Sequence, residues 1–343
     1  MLSRVANSLY WMSRYVERAE NTARMVDVNL QLLLDVRDLE DASLEGYWGP
    51  IVQSMGDHEL FQALHGKATG RTVTEFLVFQ EENPNSILST ITQGRENART
   101  VRDQITVEVW EELNRLYLFL HSGDARALWL SSPYDFFQRI KRSSLLLQGI
   151  TDTTVVRNEG WYFIVAGRQL ERADKTSRLL DIRHGSLALL GQGSQREALA
   201  WSAILRSCSA WDAYKALRGA DLQPGMVAEF LLLSEDFPRS VRFCVHQLDR
   251  ALRRISGVPE GRFTNDAERL CGRLLAELRF STGAEIMEQG LHATVDDIQL
   301  QLNAIGAALF QSYIAQPFSP HAEDEIRQQE EQQQQLGRPM GSP

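Results

Sequence analysis

The sequence has few features that would mark a secreted or membrane-spanning protein. Its 343 residues include only three cysteines, Cys208, Cys244 and Cys271, and their scattered positions allow neither a disulfide framework nor a CxxC zinc pair. The longest apolar runs, such as residues 161–167, fall well below the roughly 18 residues of a spanning helix. The first residues enter an amphipathic pattern without the apolar core of a signal peptide. We therefore expect a cytoplasmic protein without a membrane partner.

An excess of positive charge is also missing. The chain has 36 lysines and arginines against 45 aspartates and glutamates, which gives a formal net charge of −9. General nucleic-acid binding requires a basic surface, so we expect no nucleic-acid partner. Hydrophobic residues make up 43% of the chain and charged residues 24%, both ordinary for a globular protein. The length suits two domains or one duplicated superdomain.

Standard catalytic and metal-binding signatures are absent as well. None of the seven histidines lies in an HExxH or ExxH motif, so zinc-protease and di-iron helix sites have no support. The sequence contains no P-loop, no GxGxxG after a strand pattern and no GxSxG elbow. We therefore expect no metal and no cofactor.

What the sequence does contain is a segment that occurs twice, 154 residues apart (168 − 14 = 154). Residues 14–28 return as residues 168–182, with seven of the fifteen positions identical. Each copy keeps three arginines and one glutamate, namely Arg14, Glu17, Arg18 and Arg24 in the first and Arg168, Glu171, Arg172 and Arg178 in the second. Apolar positions alone would maintain a duplicated fold, so the retained charges indicate a role beyond packing.

A second pair of segments has the same offset. Residues 73–86 return as residues 227–240 (227 − 73 = 154), with seven of fourteen positions identical. Two matches with one offset indicate a tandem duplication. We predict a first helical repeat over 1–153, a second over 154–317 packed with it as one superdomain, and a disordered tail over 318–343. The Gln- and Glu-rich tail cannot bury enough apolar surface to fold.

Apolar residues recur at helical spacing along most of the chain. In the first repeat they step by three and four through Val5, Leu9, Met12, Val16, Ala19, Ala23, Val26, Leu30 and Leu33. This pattern predicts one apolar face on a long helix. Alternating β patterns bounded by turns are absent. The sequence therefore predicts an all-α fold, a duplicated helical bundle with about six helices per repeat, related by a pseudo-two-fold axis.

The repeated charges form a second stripe on the same helix, roughly opposite the apolar face. In the first repeat this stripe includes Tyr10, Arg14, Glu17, Asn21 and Arg24. Clustered hydroxyls and two charged residues, Asp152 and Arg157, precede the second copy of the motif. They are secondary candidates for a pocket at a helix start, although helix capping explains them more simply.

Three interpretations of the Glu-Arg stripe remain open. The first is a buried network that joins the two repeats, since an unpaired buried charge costs about 3–5 kcal/mol. The second is a pocket in which the surplus arginines bind a carboxylate or a phosphate. The third is a set of exposed i,i+3 pairs worth roughly 0.2–0.5 kcal/mol each.

The segments at residues 8–24, 95–103 and 159–181 resemble the bacterial alpha-E family, which is named for its helical character and its Glu-Arg motif. The resemblance covers about residues 1–315 and leaves the tail outside. Members of the family typically occur beside a circularly permuted ATP-grasp protein and a transglutaminase-like cysteine protease. The resemblance therefore implies a system that makes or attaches a small peptide through amide ligation, with these two proteins as partners.

Two functional classes follow from this reading. In the first, the chain is a non-catalytic helical accessory or scaffold protein that binds the ATP-grasp ligase or its peptide product. In the second, Glu17 or Glu171 is a general acid/base, and the arginines hold a carboxylate or phosphate substrate. A general acid/base needs a raised glutamate pKa, whereas neighbouring arginines lower it. We therefore favour the scaffold, with a peptide or an anionic small molecule as its ligand.

Overall fold

A computed structural model describes residues 1–35, 48–53, 55, 57–190 and 194–315. The tail predicted over 318–343 lies outside the described residues. Within them the chain is helical with no β-strand, which confirms the all-α prediction. None of the described helices combines the length and the apolar composition that crossing a membrane requires.

Fifteen α-helices have defined bounds in the described part of the chain. The first seven are α1 (Ser3–Asp35), α2 (His58–Leu64), α3 (Gly70–Val78), α4 (Ile87–Thr100), α5 (Val107–Leu120), α6 (Gly123–Ser131) and α7 (Pro133–Thr154). The others are α8 (Glu159–Leu190), α9 (Ser194–Ser207), α10 (Trp211–Arg218), α11 (Pro224–Leu233), α12 (Val241–Ser256), α13 (Asp266–Phe280), α14 (Gly283–Gln289) and α15 (Leu291–Leu309). A π-helical turn over Phe310–Ile314 follows α15, and residues 48–53 are also helical.

The prediction of about six helices per repeat undercounts the short ones. Helices α2 and α14 have seven residues each and α10 has eight. A helix of about two turns is too short to show a repeated apolar period. Capping side chains mark some of these elements instead, as where Thr282 and Glu285 form a capping box at the start of α14.

The two longest helices, α1 and α8, form the centre of the molecule and pack along each other. The predicted apolar face of α1 is buried, and its members Leu9, Ala19, Ala23 and Val26 are at most 1% exposed. The small side chains of Ala19 and Ala23 allow a neighbouring helix to approach closely. The closest approach is at Gly167, where a Cβ atom would overlap the carbonyl oxygen of Tyr10 and the hydroxyl of Ser13.

The two central helices have corresponding neighbours, one set from each half of the chain. Helix α1 packs against α4 and α7, with α5 contacting both, and α8 packs against α12 and α15, with α13 contacting both. Ser86 caps the start of α4 and Ser240 caps the start of α12, again 154 residues apart (240 − 86 = 154). This order supports the predicted duplication, which stays a prediction.

The boundary at residues 153/154 stays a prediction; it falls in the last turn of α7, which ends at Thr154. Apolar side chains from both sides of that boundary join one contiguous hydrophobic core. The two halves are therefore two parts of one packed unit within the described residues. This arrangement brings the two copies of the Glu-Arg motif face to face.

We expect Gly167→Ala to lower the free energy of unfolding by about 1–3 kcal/mol, because the added methyl group forces α1 and α8 apart. Gly149 on α7 is the matched control, since a Cβ atom there meets nothing within 4 Å. Gly149→Ala should raise stability by up to about 1 kcal/mol through helix propensity. Urea unfolding followed by circular dichroism measures both. A Gly167→Ala variant as stable as the parent would contradict the close helix contact.

Candidate functional site

Glu171, from the second copy of the motif, is fully buried and paired with arginines from the first copy. Arg18 binds its carboxylate through Nε at 2.6 Å and Nη2 at 3.0 Å. Arg14 donates from Nε at 2.8 Å. Lys175, one turn further along α8, lies 3.9 Å from the same carboxylate. Three cationic side chains therefore surround one buried carboxylate.

Glu17, from the first copy, is 1% exposed and is held by the second half of the chain. Arg172 contacts its two oxygens through Nε and Nη2, both at 2.8 Å. Arg239, two residues before α12, donates to Oε1 at 3.1 Å. The Gln148 amide donates to Oε2 at 3.2 Å and accepts from Arg172 at 3.0 Å. The motif thus exchanges partners between α1 and α8, because Glu17 pairs with Arg172 and Glu171 with Arg18.

A third buried carboxylate, Glu20, extends the network. Arg239 contacts both of its oxygens, at 2.7 and 2.8 Å, and Arg24 pairs with it from the next turn of α1. Arg239 also donates to the side-chain oxygen of Asn21 at 3.2 Å. A single guanidinium therefore links Glu17, Glu20 and Asn21.

The surrounding guanidinium groups keep these carboxylates ionised. Burial alone would raise the pKa of Glu17, but Arg172 and Arg239 outweigh it and hold the pKa below its ordinary value. Burial likewise opposes ionisation of Glu20, yet Arg239 and Arg24 lower its pKa to about 2. Arg14 and Arg18 overcome burial in the same way and depress the pKa of Glu171 strongly.

Other predicted site residues lie around this centre. Tyr10 accepts a hydrogen bond from Arg14 Nη1 at 3.0 Å. Arg178 pairs with Asp174 at 2.9 Å. Arg168 does not contact Glu17; it faces Asp152 at 3.4 Å near the end of α7. Arg157 is outside the network, exposed, and stacks on the Trp161 ring at 5.1 Å.

The Glu-Arg motif therefore does not form exposed i,i+3 ion pairs. The carboxylates of Glu17, Glu20 and Glu171 are at most 1% exposed, and their arginine partners come from other helices as well as from the same one. The buried network and the anion pocket both remain compatible with the geometry around Arg14 and Arg168.

Sequence reasoning missed four side chains that complete the network: Arg239, Glu20, Gln148 and Asn85. A signal for two of them was present in the second repeated segment. Asn85 and Arg239 occupy equivalent positions after its proline (239 − 85 = 154). Asn85 accepts from Arg18 Nη1 at 2.8 Å, so both positions contact the Glu-Arg motif although their residue types differ.

One group of side chains in the described residues could hold a metal ion. The ligand atoms of Asp181, His292 and Asp296 lie within 4.8 Å of one another. Asp181 already bonds His292 at 2.5 Å and raises the pKa of that imidazole. The equivalent aspartate of the first repeat, Asp27, forms a buried ion pair with Lys141 at 2.5 Å. We therefore interpret the Asp181–His292 contact as an ion pair that corresponds, in the second half of the chain, to Asp27–Lys141.

The geometry of the centre supports ion pairing between the two central helices. Glutamates with depressed pKa values are poor general acids, and their oxygens are occupied by arginine donors. The thiols offer no nucleophile, because burial raises the pKa of both Cys208 and Cys244 to about 12. What the network has in surplus is guanidinium groups, which bind carboxylates and phosphates.

These features define an all-α protein whose two central helices are joined by reciprocal, buried Glu-Arg pairs. The chain belongs to the Alpha-E family, described as a predicted alpha-helical domain with a conserved ER motif, whose model matches residues 1–314. Glu17-Arg18 and Glu171-Arg172 are the two repeated Glu-Arg dipeptides, and the glutamate of each pairs with the arginine of the other.

The curated relatives that match the chain are longer than it is, and their names state no function. Uncharacterized proteins of Mycobacterium bovis and Mycobacterium tuberculosis are 23% identical to the chain over 338 residues. The matched region covers 89% of this chain but only 37% of each relative. The chain therefore spans little more than a third of the curated relatives it matches. No solved structure matches it significantly.

We expect Glu171→Gln to lower the free energy of unfolding by about 3–5 kcal/mol, since it leaves Arg14 and Arg18 buried without their carboxylate. Glu96→Gln is the matched control. Glu96 also pairs with two arginines, Arg95 and Arg99, but its side chain is 37% exposed, so its loss should cost less than about 1 kcal/mol. Urea unfolding compares the two. An equal loss of unfolding free energy in the two variants would contradict the buried network.

Stability should also depend on pH through Glu20. Its pKa is about 2 in the folded protein against an ordinary 4.5, so the unfolded chain takes up the proton first. The stabilisation is present above about pH 4.5 and is lost as the pH falls toward 2. Glu20→Gln should flatten the fall in unfolding free energy over this interval. An unchanged slope in that variant would show that other groups carry the acid sensitivity.

Proposed function

We propose that the chain is a non-catalytic helical accessory or scaffold protein in a small-peptide synthesis or modification system. Its partner is an ATP-grasp amide ligase or the peptide that the ligase makes, and a transglutaminase-like protease acts in the same system. The observation that supports this most directly is the buried Glu-Arg network. Its glutamates serve as permanent anions between helices, and none is left in the state that general acid catalysis requires.

The net charge of −9 disfavours nucleic acid as the partner. We propose the cytoplasm as the compartment, because three unpaired, buried cysteines suit a reducing environment.

Co-expression with an ATP-grasp protein of the kind that family members typically occur beside tests the scaffold. We expect the two proteins to elute together from a size-exclusion column, at a volume earlier than that of either alone. Reproducible elution as two separate proteins, under conditions where both are folded, would contradict the proposal.

The competing hypothesis, with Glu17 or Glu171 as a general acid/base, makes a different prediction. Loss of such a group typically lowers a rate by 10²–10⁴-fold. For a scaffold, we expect Glu171→Gln to leave peptide output per folded molecule unchanged once its lower stability is allowed for. Glu20→Gln is the matched control, because Glu20 is equally buried in the network but has no role in the catalytic hypothesis.

The measurement is peptide output by the reconstituted system at a temperature where both variants are folded. A large loss in Glu171→Gln with full output in Glu20→Gln would overturn the scaffold and support catalysis. Equal output in both variants supports the scaffold.

A further inference from the structure

The two copies of the motif differ in what stands opposite their first arginine. Arg168 faces the Asp152 carboxylate at 3.4 Å. The position equivalent to Asp152 in the second repeat is residue 306 (152 + 154 = 306), which is a glycine. A Cβ atom on Gly306 would lie 3.2 Å from Leu170 Cδ2 and 4.0 Å from Arg14 Nη1. Arg14 therefore faces a backbone where its counterpart faces a carboxylate.

The absence of that side chain leaves a pocket of about 310 Å³ in front of Arg14. It lies between α1, α8, α15 and the π-helical turn. Aromatic surface comes from Trp11 and Phe310, and side-chain amides come from Asn303 and Gln311. Its volume is at the lower end of the range for small-ligand pockets, roughly 300–1,000 Å³. The pocket that Arg168 lines has a volume of only about 30 Å³.

The guanidinium of Arg14 has capacity left for a ligand. Its Nε donates to Glu171 and its Nη1 to the Tyr10 hydroxyl. Its Nη2 has no hydrogen-bond partner among the described residues. The group stacks 4.8 Å from the centre of the Trp11 ring, which fixes its plane. A planar, oriented guanidinium edge suits a carboxylate.

The local charge balance also favours an anion. Among the described residues, Arg14, Arg18, Lys175 and Arg178 lie within ion-pair distance of the carboxylates of Glu171 and Asp174. The formal balance of these groups is 4 − 2 = +2. Burial lowers the pKa of Lys175, although Asp174 and Glu171 favour its charged form. Around Glu17 and Glu20 the three arginines give 3 − 2 = +1.

The position of Asp174 in the pocket limits which kind of anion can bind there. Asp174 lines the same pocket as Arg14, so a positive and a negative group share a space suited to a small molecule. A ligand with both a carboxylate and an ammonium group would use both, whereas inorganic phosphate would be repelled by Asp174. The aromatic surface can cover an apolar side chain.

We propose that this pocket binds an α-amino acid or a short peptide, with its carboxylate on Arg14 at the place that Asp152 occupies beside Arg168. The ammonium group lies toward Asp174. This inference deepens the proposed function and rests on its peptide-binding part, since it names the chemical class of the ligand.

Isothermal titration calorimetry with the dipeptide Ala-Ala tests the proposal. We expect Ala-Ala to bind, and its C-terminal amide and inorganic phosphate to bind at least tenfold more weakly. Gly306→Asp should supply the missing carboxylate from within the chain and weaken Ala-Ala binding at least tenfold. Gly149→Asp is the matched control, because it makes the same change on an exposed turn of α7 and should leave binding unchanged.

Circular dichroism establishes that each variant is folded. Asn303→Asp, an exposed change at the same pocket, gives a second test should Gly306→Asp fail to fold, and it too should weaken binding. No binding of Ala-Ala, equal binding of the amide, tighter binding of phosphate, or full binding by folded pocket variants would each overturn the proposal.

The outcome is separable from that of the scaffold experiment. Co-elution with the ATP-grasp protein without Ala-Ala binding would reject the pocket and retain the scaffold. Ala-Ala binding by the pocket without co-elution would retain the pocket and reject the ligase as a stable partner.

Discussion

The exchange of Glu-Arg pairs between α1 and α8 is the constraint on which the rest of the structure depends. Two glutamates are buried at the centre of the molecule, and each is ionised only because guanidinium groups from the opposite half surround it. Removal of one partner leaves an uncompensated buried charge. The bonds of Arg172 to Glu17 and of Arg18 to Glu171 at 2.6–3.0 Å set the lateral register of the helices. The contact at Gly167 sets their separation.

The retained charges and the differences between the copies have separate roles. The shared Glu-Arg pairs hold the halves together, so they account for structure. Three substitutions at equivalent positions then make the two ends unlike: Asn85 against Arg239, Asn21 against Lys175, and Asp152 against Gly306. The first end, around Arg168, is closed by Asp152. The second, around Arg14, is open and more positive, and it is there that we place a ligand.

The fold class and the position of the motif could be predicted from sequence because both depend on local pattern. The apolar period of α1 and the repeated Glu17-Arg18 and Glu171-Arg172 follow directly from residue spacing. The partners could not be predicted in the same way. Arg239 lies 222 residues from Glu17, and Gln148 belongs to no repeated segment, so only the tertiary fold brings them together. Arg157 shows the reverse error, since its nearness in sequence to the second motif did not place it in the network.

The crossing of the pairs has an evolutionary consequence. Glu17 pairs with an arginine on α8 and Glu171 with arginines on α1, so neither half contains the guanidinium groups that bind its own buried glutamate. If both halves descend from a single-repeat ancestor, that ancestor could bury its glutamate only against a second copy of itself. It would have been a symmetric homodimer. Fusion of two such genes would then have released each copy from self-complementarity, and positions such as 152 and 306 could have diverged on one side alone.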